Sequence, residues 1–135
     1  MLHKVVKTID FCYGHRLLDY QGKCRHLHGH NGLLEVEVES DSLDHRGMVM
    51  DFSDLRGVVK DWVDRNLDHK MLLHKDDPLA DLLSEMGEPF YPMDENPTAE
   101  NILKHIYRQI RKEGLMVSEM RLWETPSSYA SYREE

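Results

Sequence analysis

Three histidines and one cysteine are spaced in this chain as a metal site beside a proton-transfer group would space them. His15 closes the run Phe11-Cys12-Tyr13-Gly14-His15, and His28 and His30 lie two apart in Lys23-Cys24-Arg25-His26-Leu27-His28-Gly29-His30. On a β-strand that interval puts both imidazoles on one face. Three neutral imidazoles with no fourth protein ligand make an open zinc site, the catalytic kind. Cys24 lies in a polar stretch between Lys23 and Arg25, close enough in sequence to act beside the metal rather than on it. Neighbouring cations favour its thiolate. A thiolate next to a metal-polarised hydroxyl or carbonyl is a good general base. The chemistry expected is zinc-assisted proton transfer on a small molecule.

The elements that must position these groups follow from hydrophobic periodicity. Residues 4–14 read as a strand whose Val5, Ile9, Phe11 and Tyr13 share one parity with His15. A polar loop over 16–27 leads to a second strand, 28–39. There Leu34, Val36 and Val38 alternate with Glu35, Glu37 and Glu39, and His28 and His30 have the parity of the apolar set. All three histidines are thus expected on the inward side of their strands. His26 falls in the loop before the strand and is set aside as a ligand. His3, His45, His74 and His105 are read as ordinary histidines, and Cys12 as structural.

Further along, residues 44–47 read as a turn, 48–52 as a short strand and Ser53 as an N-cap. The helix after it carries Leu55, Val58, Val59, Trp62 and Val63 at three-four spacing and ends near Asn66. Asp77-Pro78 and Gly87 bracket a short helix over 79–86, followed by a loop over 87–95. A second main helix starts at Asn96-Pro97-Thr98, carries Ile102, Leu103, Ile106, Tyr107 and Ile110, and is closed by Gly114. Residues 117–124 and 129–133 read as the last strands. The order points to an α+β fold, an antiparallel four-stranded sheet with two main helices packed on one face. Its exposed edges need covering, and oligomerisation is one way to cover them.

Two further carboxylates stand out. Asp68-His69 is either a polar helix end, where histidine suits the dipole, or a carboxylate fixing a histidine's tautomer for proton transfer. Glu124 shares strand parity with Met120 and Leu122, and a carboxylate on an apolar face needs a partner. A salt bridge would serve, and so would the N–C–NH2 edge of a heterocycle, paired in a bidentate way.

Composition bounds these readings. A chain of 135 residues is one domain, 1–135, and its 40% hydrophobic and 31% charged content reads as soluble and globular. The net charge of −8 argues against nonspecific nucleic-acid binding, though a local cluster of cations can still hold an anionic substrate. Two cysteines make no disulfide framework, which fits a reducing compartment. No apolar run is long enough for a membrane span, and residues 1–7 have no signal-peptide core, so a cytoplasmic protein is expected.

The motifs together resemble the 6-pyruvoyl- and 6-carboxy-tetrahydropterin synthase family over nearly the whole length. The resemblance rests on Phe11-x-x-x-His15, Lys23-Cys24-x-x-x-His28-Gly29-His30, Gly47-Met48-Val49-Met50-Asp51-Phe52, Leu67-Asp68-His69-Lys70, Asn96-Pro97-Thr98-Ala99-Glu100-Asn101 and Glu124-Thr125, in that order. It implies a T-fold assembled as trimers or hexamers, with active sites between subunits. It implies zinc on His15, His28 and His30, proton transfer by Cys24, Asp68 and His69, and a pterin ring anchored by Glu124 with help from Thr98 and Glu100. The short Cys24-x-x-x-His28 gap resembles the bacterial carboxy-forming members. These convert 7,8-dihydroneopterin triphosphate to 6-carboxytetrahydropterin, acetaldehyde and triphosphate in 7-deazaguanine and queuosine biosynthesis. The alternatives are a 6-pyruvoyl-forming enzyme, a related dihydroneopterin side-chain lyase, or a non-catalytic zinc or pterin-binding module. Lys23, Arg25 and His26 are the candidates for holding the triphosphate. Two features depart from the family pattern. Tyr13-Gly14 replaces small residues before His15, and the stretch 71–95 reads as an insertion, a lid or an oligomer contact.

Overall fold

The computed structural model describes residues 1–135, and two long strands dominate it. β1 (His3–His15) and β2 (His28–Ser40) pair antiparallel along their whole length, with His15 opposite His28 and Tyr13 opposite His30. The alternation read from the sequence holds. Ile9, Phe11, Tyr13 and His15 are buried on one face of β1, and Leu34, Val36 and Val38 on the same side of β2.

That face is covered by α1 (Phe52–Asn66) and α3 (Ala99–Lys112). Leu55, Val59, Trp62 and Val63 from α1 join Ile102, Leu103, Ile106, Tyr107 and Ile110 from α3 in one core with the inward strand residues. Each aliphatic side chain so buried contributes about 1.5–3 kcal/mol. Thr98 caps α3 by accepting from the Asn101 amide at 3.1 Å, and Gly114, at φ 98°, lets the chain leave.

The chain continues through β3 (Lys70–His74), α2 (Leu79–Met86), β4 (Phe90–Met93), β5 (Glu119–Thr125) and β6 (Ser128–Tyr132). The α+β class and the two main helices stand as expected, but the sheet is six-stranded and mixed, not four-stranded and antiparallel. Its order is β4-β3-β1-β2-β5-β6, with β3 parallel to both β1 and β4. The stretch 71–95 is therefore not an appended loop or lid but a β3-α2-β4 extension of the sheet. Leu72 and Leu73 are both fully buried, so β3 shows a continuous apolar pair where a half-buried strand would alternate. The short helix 79–86 appears where expected, and Gly87 ends it at φ 73°.

The extension is tied to the end of β1. Arg16 donates from Nε and Nη2 to the Asp77 carboxylate at 2.8 and 2.5 Å, and Asp77 Oδ1 also accepts from the Leu79 amide at 2.9 Å at the start of α2. The expected strand over 48–52 is absent. Asp44 gathers this segment instead, accepting from the amides of Arg46 and Met48, while Gly47 turns at φ 81°. Asp51, not Ser53, caps α1, because its Oδ1 accepts from the Ser53 amide at 2.7 Å. No helix is long and apolar enough to cross a membrane.

Candidate metal centre

The register of β1 and β2 brings the three histidines together. One nitrogen from each of His15, His28 and His30 lies within 4.8 Å of the others. Two of the rings are oriented by carbonyl oxygens, which can only accept. His15 Nδ1 donates to Pro97 O at 2.7 Å and His28 Nδ1 to His26 O at 2.8 Å. That fixes the tautomer and leaves Nε2 of each ring as a lone pair. His15 Nε2 is buried and has no hydrogen-bond partner. Such an orphan is costly unless something binds it. Burial also pushes the His15 imidazole below the usual histidine range, against the opposing pull of the Pro97 carbonyl and Glu124. His15 is therefore neutral, the form a metal needs. Orphaned nitrogen, oriented tautomers and close spacing together fit a bound cation.

Glu124 sits at the mouth of this cluster. Its Oε2 lies 3.6 Å from His15 Nε2 and 3.7 Å from His30 Nε2. No lysine or arginine pairs with it. Instead the Tyr13 hydroxyl donates to the same Oε2 at 2.5 Å. Burial, reinforced by the adjacent Glu124, pushes the Tyr13 phenol far above its ordinary range, so it stays a donor.

The Asn96-Pro97-Thr98 segment supports the centre from the helix side. Asn96 accepts from the Leu18 amide at 2.7 Å and donates to the Leu18 carbonyl at 2.9 Å, which ties the 16–27 loop to the start of α3. Thr98 is occupied as the cap, and Glu100 is exposed on the first turn with no partner in this chain.

Asp68 and His69 form a second group. Asp68 Oδ1 accepts from the Cys12 amide at 2.9 Å, and Oδ2 accepts from His69 Nδ1 at 2.9 Å. Burial works against the Asp68 charge, but these two hydrogen bonds outweigh it and hold the carboxyl below the usual range. The arrangement fixes the His69 tautomer, with Nε2 left free. His69 has φ 60°, a left-handed conformation costing about 1–2 kcal/mol for a residue other than glycine. Its amide donates to Cys12 O at 2.6 Å, and its side chain is 79% exposed. Such strain, retained on an exposed histidine, belongs to functional sites more than to packing. A cleft of about 540 Å3 has both His28 and His69 on its walls.

Cys24 is a free thiol joined to neither group by a hydrogen bond. It lies in a short 3-10 turn (Lys23–Arg25), its carbonyl accepts from the Leu17 amide at 2.8 Å, and its thiol makes no hydrogen bond. One chain thus unites the histidine triad with Glu124, keeps Asp68 with His69, and leaves Cys24 and Glu100 unengaged. Three supporting groups escaped the sequence reading: the Pro97 carbonyl, Asn96 and the Tyr13 hydroxyl. Only Tyr13 left a usable signal, since a phenol placed inward must find a partner.

Comparison with known proteins agrees with this picture. The model of the 6-pyruvoyl tetrahydropterin synthase family matches residues 4–135. A 6-carboxy-5,6,7,8-tetrahydropterin synthase of Rickettsia felis is 38% identical over 93% of this chain and 96% of its own length. The crystal structure of an uncharacterized protein from Wolinella succinogenes superposes with a TM-score of 0.82 at 30% identity, covering 100% of this chain and 99% of that one. The 6-pyruvoyl tetrahydropterin synthase of Plasmodium falciparum, at 20% identity, shares the T-fold with a TM-score of 0.78 over 98% of both chains.

Proposed function

Because the chain belongs to the 6-pyruvoyl tetrahydropterin synthase family of enzymes, we propose that it is a zinc-dependent 6-carboxy-5,6,7,8-tetrahydropterin synthase. In this reading it converts 7,8-dihydroneopterin triphosphate to 6-carboxytetrahydropterin, acetaldehyde and triphosphate in the cytoplasm, in 7-deazaguanine and queuosine biosynthesis. The observation that carries the reading is the buried, unpartnered Nε2 of His15 beside the equivalent groups of His28 and His30. Three imidazoles suit zinc and leave a position for substrate.

His15, His28 and His30 would hold the ion, and when bound it supplies Lewis-acid polarisation of the substrate's side-chain oxygens. The remaining steps belong to the protein. Cys24, as thiolate, removes the proton made acidic on the side chain. His69 exchanges a proton at the neighbouring carbon through Nε2, with Asp68 holding its Nδ1–H. Triphosphate leaves by elimination, and one water then adds to the side-chain carbonyl next to the ring, so that the C–C bond beyond it breaks, acetaldehyde leaves and the water oxygen stays in the carboxylate. Glu124 receives the N–C–NH2 edge of the pterin, its Oε1 being free of protein partners, and Thr98 and Glu100 border the ring.

No hydrogen bond joins Cys24 to the exposed His69, and Cys24 is not on the walls of the cleft that His69 shares with His28, which supports a site shared between subunits of a trimer or hexamer. The test is subunit complementation. Cys24→Ala and His69→Ala should each abolish turnover while retaining zinc, and co-assembly of the two should restore turnover. A Cys24→Ala enzyme of near-normal rate would remove the thiolate from the mechanism. Inactive mixed assemblies would remove the shared site.

A further inference from the structure

Tyr13 has no part in the scheme above, yet its hydroxyl donates to the Glu124 carboxylate that borders the candidate centre. The residue is 2% exposed, its ring stacks on Phe11 at 5.1 Å, and it meets His15 and His30 at 5.3 and 5.7 Å. Space for the ring comes from β2. A Cβ added to Gly32 would lie 3.0 Å from Tyr13 Cε1, so the ring occupies room that only glycine leaves. A phenylalanine would pack as well, so packing does not explain the hydroxyl.

The hydroxyl binds Glu124 Oε2, the same oxygen that lies 3.6 and 3.7 Å from Nε2 of His15 and His30. A carboxylate 3.6–3.7 Å from two imidazole nitrogens is within a small rotation of a cation held by them. Zinc with three histidines readily takes a carboxylate as its fourth ligand, which closes the open position that catalysis needs.

We propose that Tyr13 is a positioning residue that holds the Glu124 carboxylate off the metal. It keeps the fourth coordination position open and keeps Glu124 turned toward the pterin. This rests on the reading of the triad as a metal centre, and it adds a residue that determines how Glu124 is divided between metal and substrate. The hydrogen bond to Oε2 competes with ligation by that oxygen. Its loss frees the carboxylate to swing onto the ion.

The test compares Co2+ binding to the wild-type protein, Tyr13→Phe, Glu124→Gln and the double variant, read by visible absorption and by competition with a chelator. Tyr13→Phe should bind Co2+ about tenfold more tightly than wild type, within the range of effects that groups around metal ligands produce. Its d–d bands should shift as a carboxylate joins the ion. The double variant should lose both changes and match Glu124→Gln. Unchanged bands and affinity in Tyr13→Phe overturn the proposal, and so does weaker binding, which would make the hydroxyl a support for a ligating Glu124. Both results leave the metal centre standing. A folded wild-type protein that takes up no Co2+ overturns the centre itself and the proposal with it.

Discussion

Replacing Asp77 by alanine should loosen the β3-α2-β4 extension by about 3 kcal/mol, the sum of an ion-pair part and a cap part. Asp77 is 2% exposed and accepts from Arg16 at 2.8 and 2.5 Å and from the Leu79 amide at 2.9 Å. Removing one partner of a fully buried pair costs ~3–5 kcal/mol. Arg16 keeps 27% side-chain exposure, so its guanidinium partly rehydrates, which brings the ion-pair part to about 2 kcal/mol. Loss of the cap on α2 adds about 1 kcal/mol. Hydrogen exchange read amide by amide is the assay, because the effect is local. The amides of α2 and β4 should exchange about a hundredfold faster, while α3 stays as protected as in wild type. Protection within threefold of wild type across α2 and β4 would refute the view that this pair fastens the extension to β1.

The same carboxylate shapes the acid limb of stability. Hydrogen bonding from Arg16, outweighing burial, holds Asp77 below the usual carboxylate range. Its contribution is fully present above the unfolded value of about 3.9 and is lost as pH falls through the lowered folded value. Urea midpoints from pH 6 to 2 should therefore fall less steeply in Asp77→Asn than in wild type. His15→Ala should purify without stoichiometric zinc where wild type holds one ion per chain, as elemental analysis would show. Gly32→Ala should destabilise by about 1–3 kcal/mol in equilibrium unfolding, because the new methyl must displace the Tyr13 ring or Leu122.

What could be read from sequence depended on whether the relevant interaction leaves a periodic trace. The inward faces of β1 and β2 alternate over 13 residues each, so the convergence of His15, His28 and His30 was legible before any coordinates. The main helices were legible for the same reason, from their three-four spacing. β3 and β4 were not. They have 5 and 4 residues, β3 is buried without alternation, and both depend on parallel partners distant in the chain. The groups that orient the centre were hidden differently. Pro97 reaches His15 through a backbone carbonyl 82 residues away, which no side-chain type records. The bond from Tyr13 to Glu124 spans 111 residues, and although each end alone calls for a partner, neither says which one. The Ser53 cap failed because Asp51, two residues earlier, offers a carboxylate to the same helix end.

The central claim is the reaction itself, and mass analysis of products from the zinc-loaded protein and 7,8-dihydroneopterin triphosphate tests it most directly. The account predicts 6-carboxytetrahydropterin with acetaldehyde and triphosphate, and loss of that product on metal removal with recovery on zinc. A 6-pyruvoyl or 6-hydroxymethyl product would contradict the assigned reaction while keeping the site. No turnover by a zinc-replete assembly would contradict the enzymatic reading of the centre.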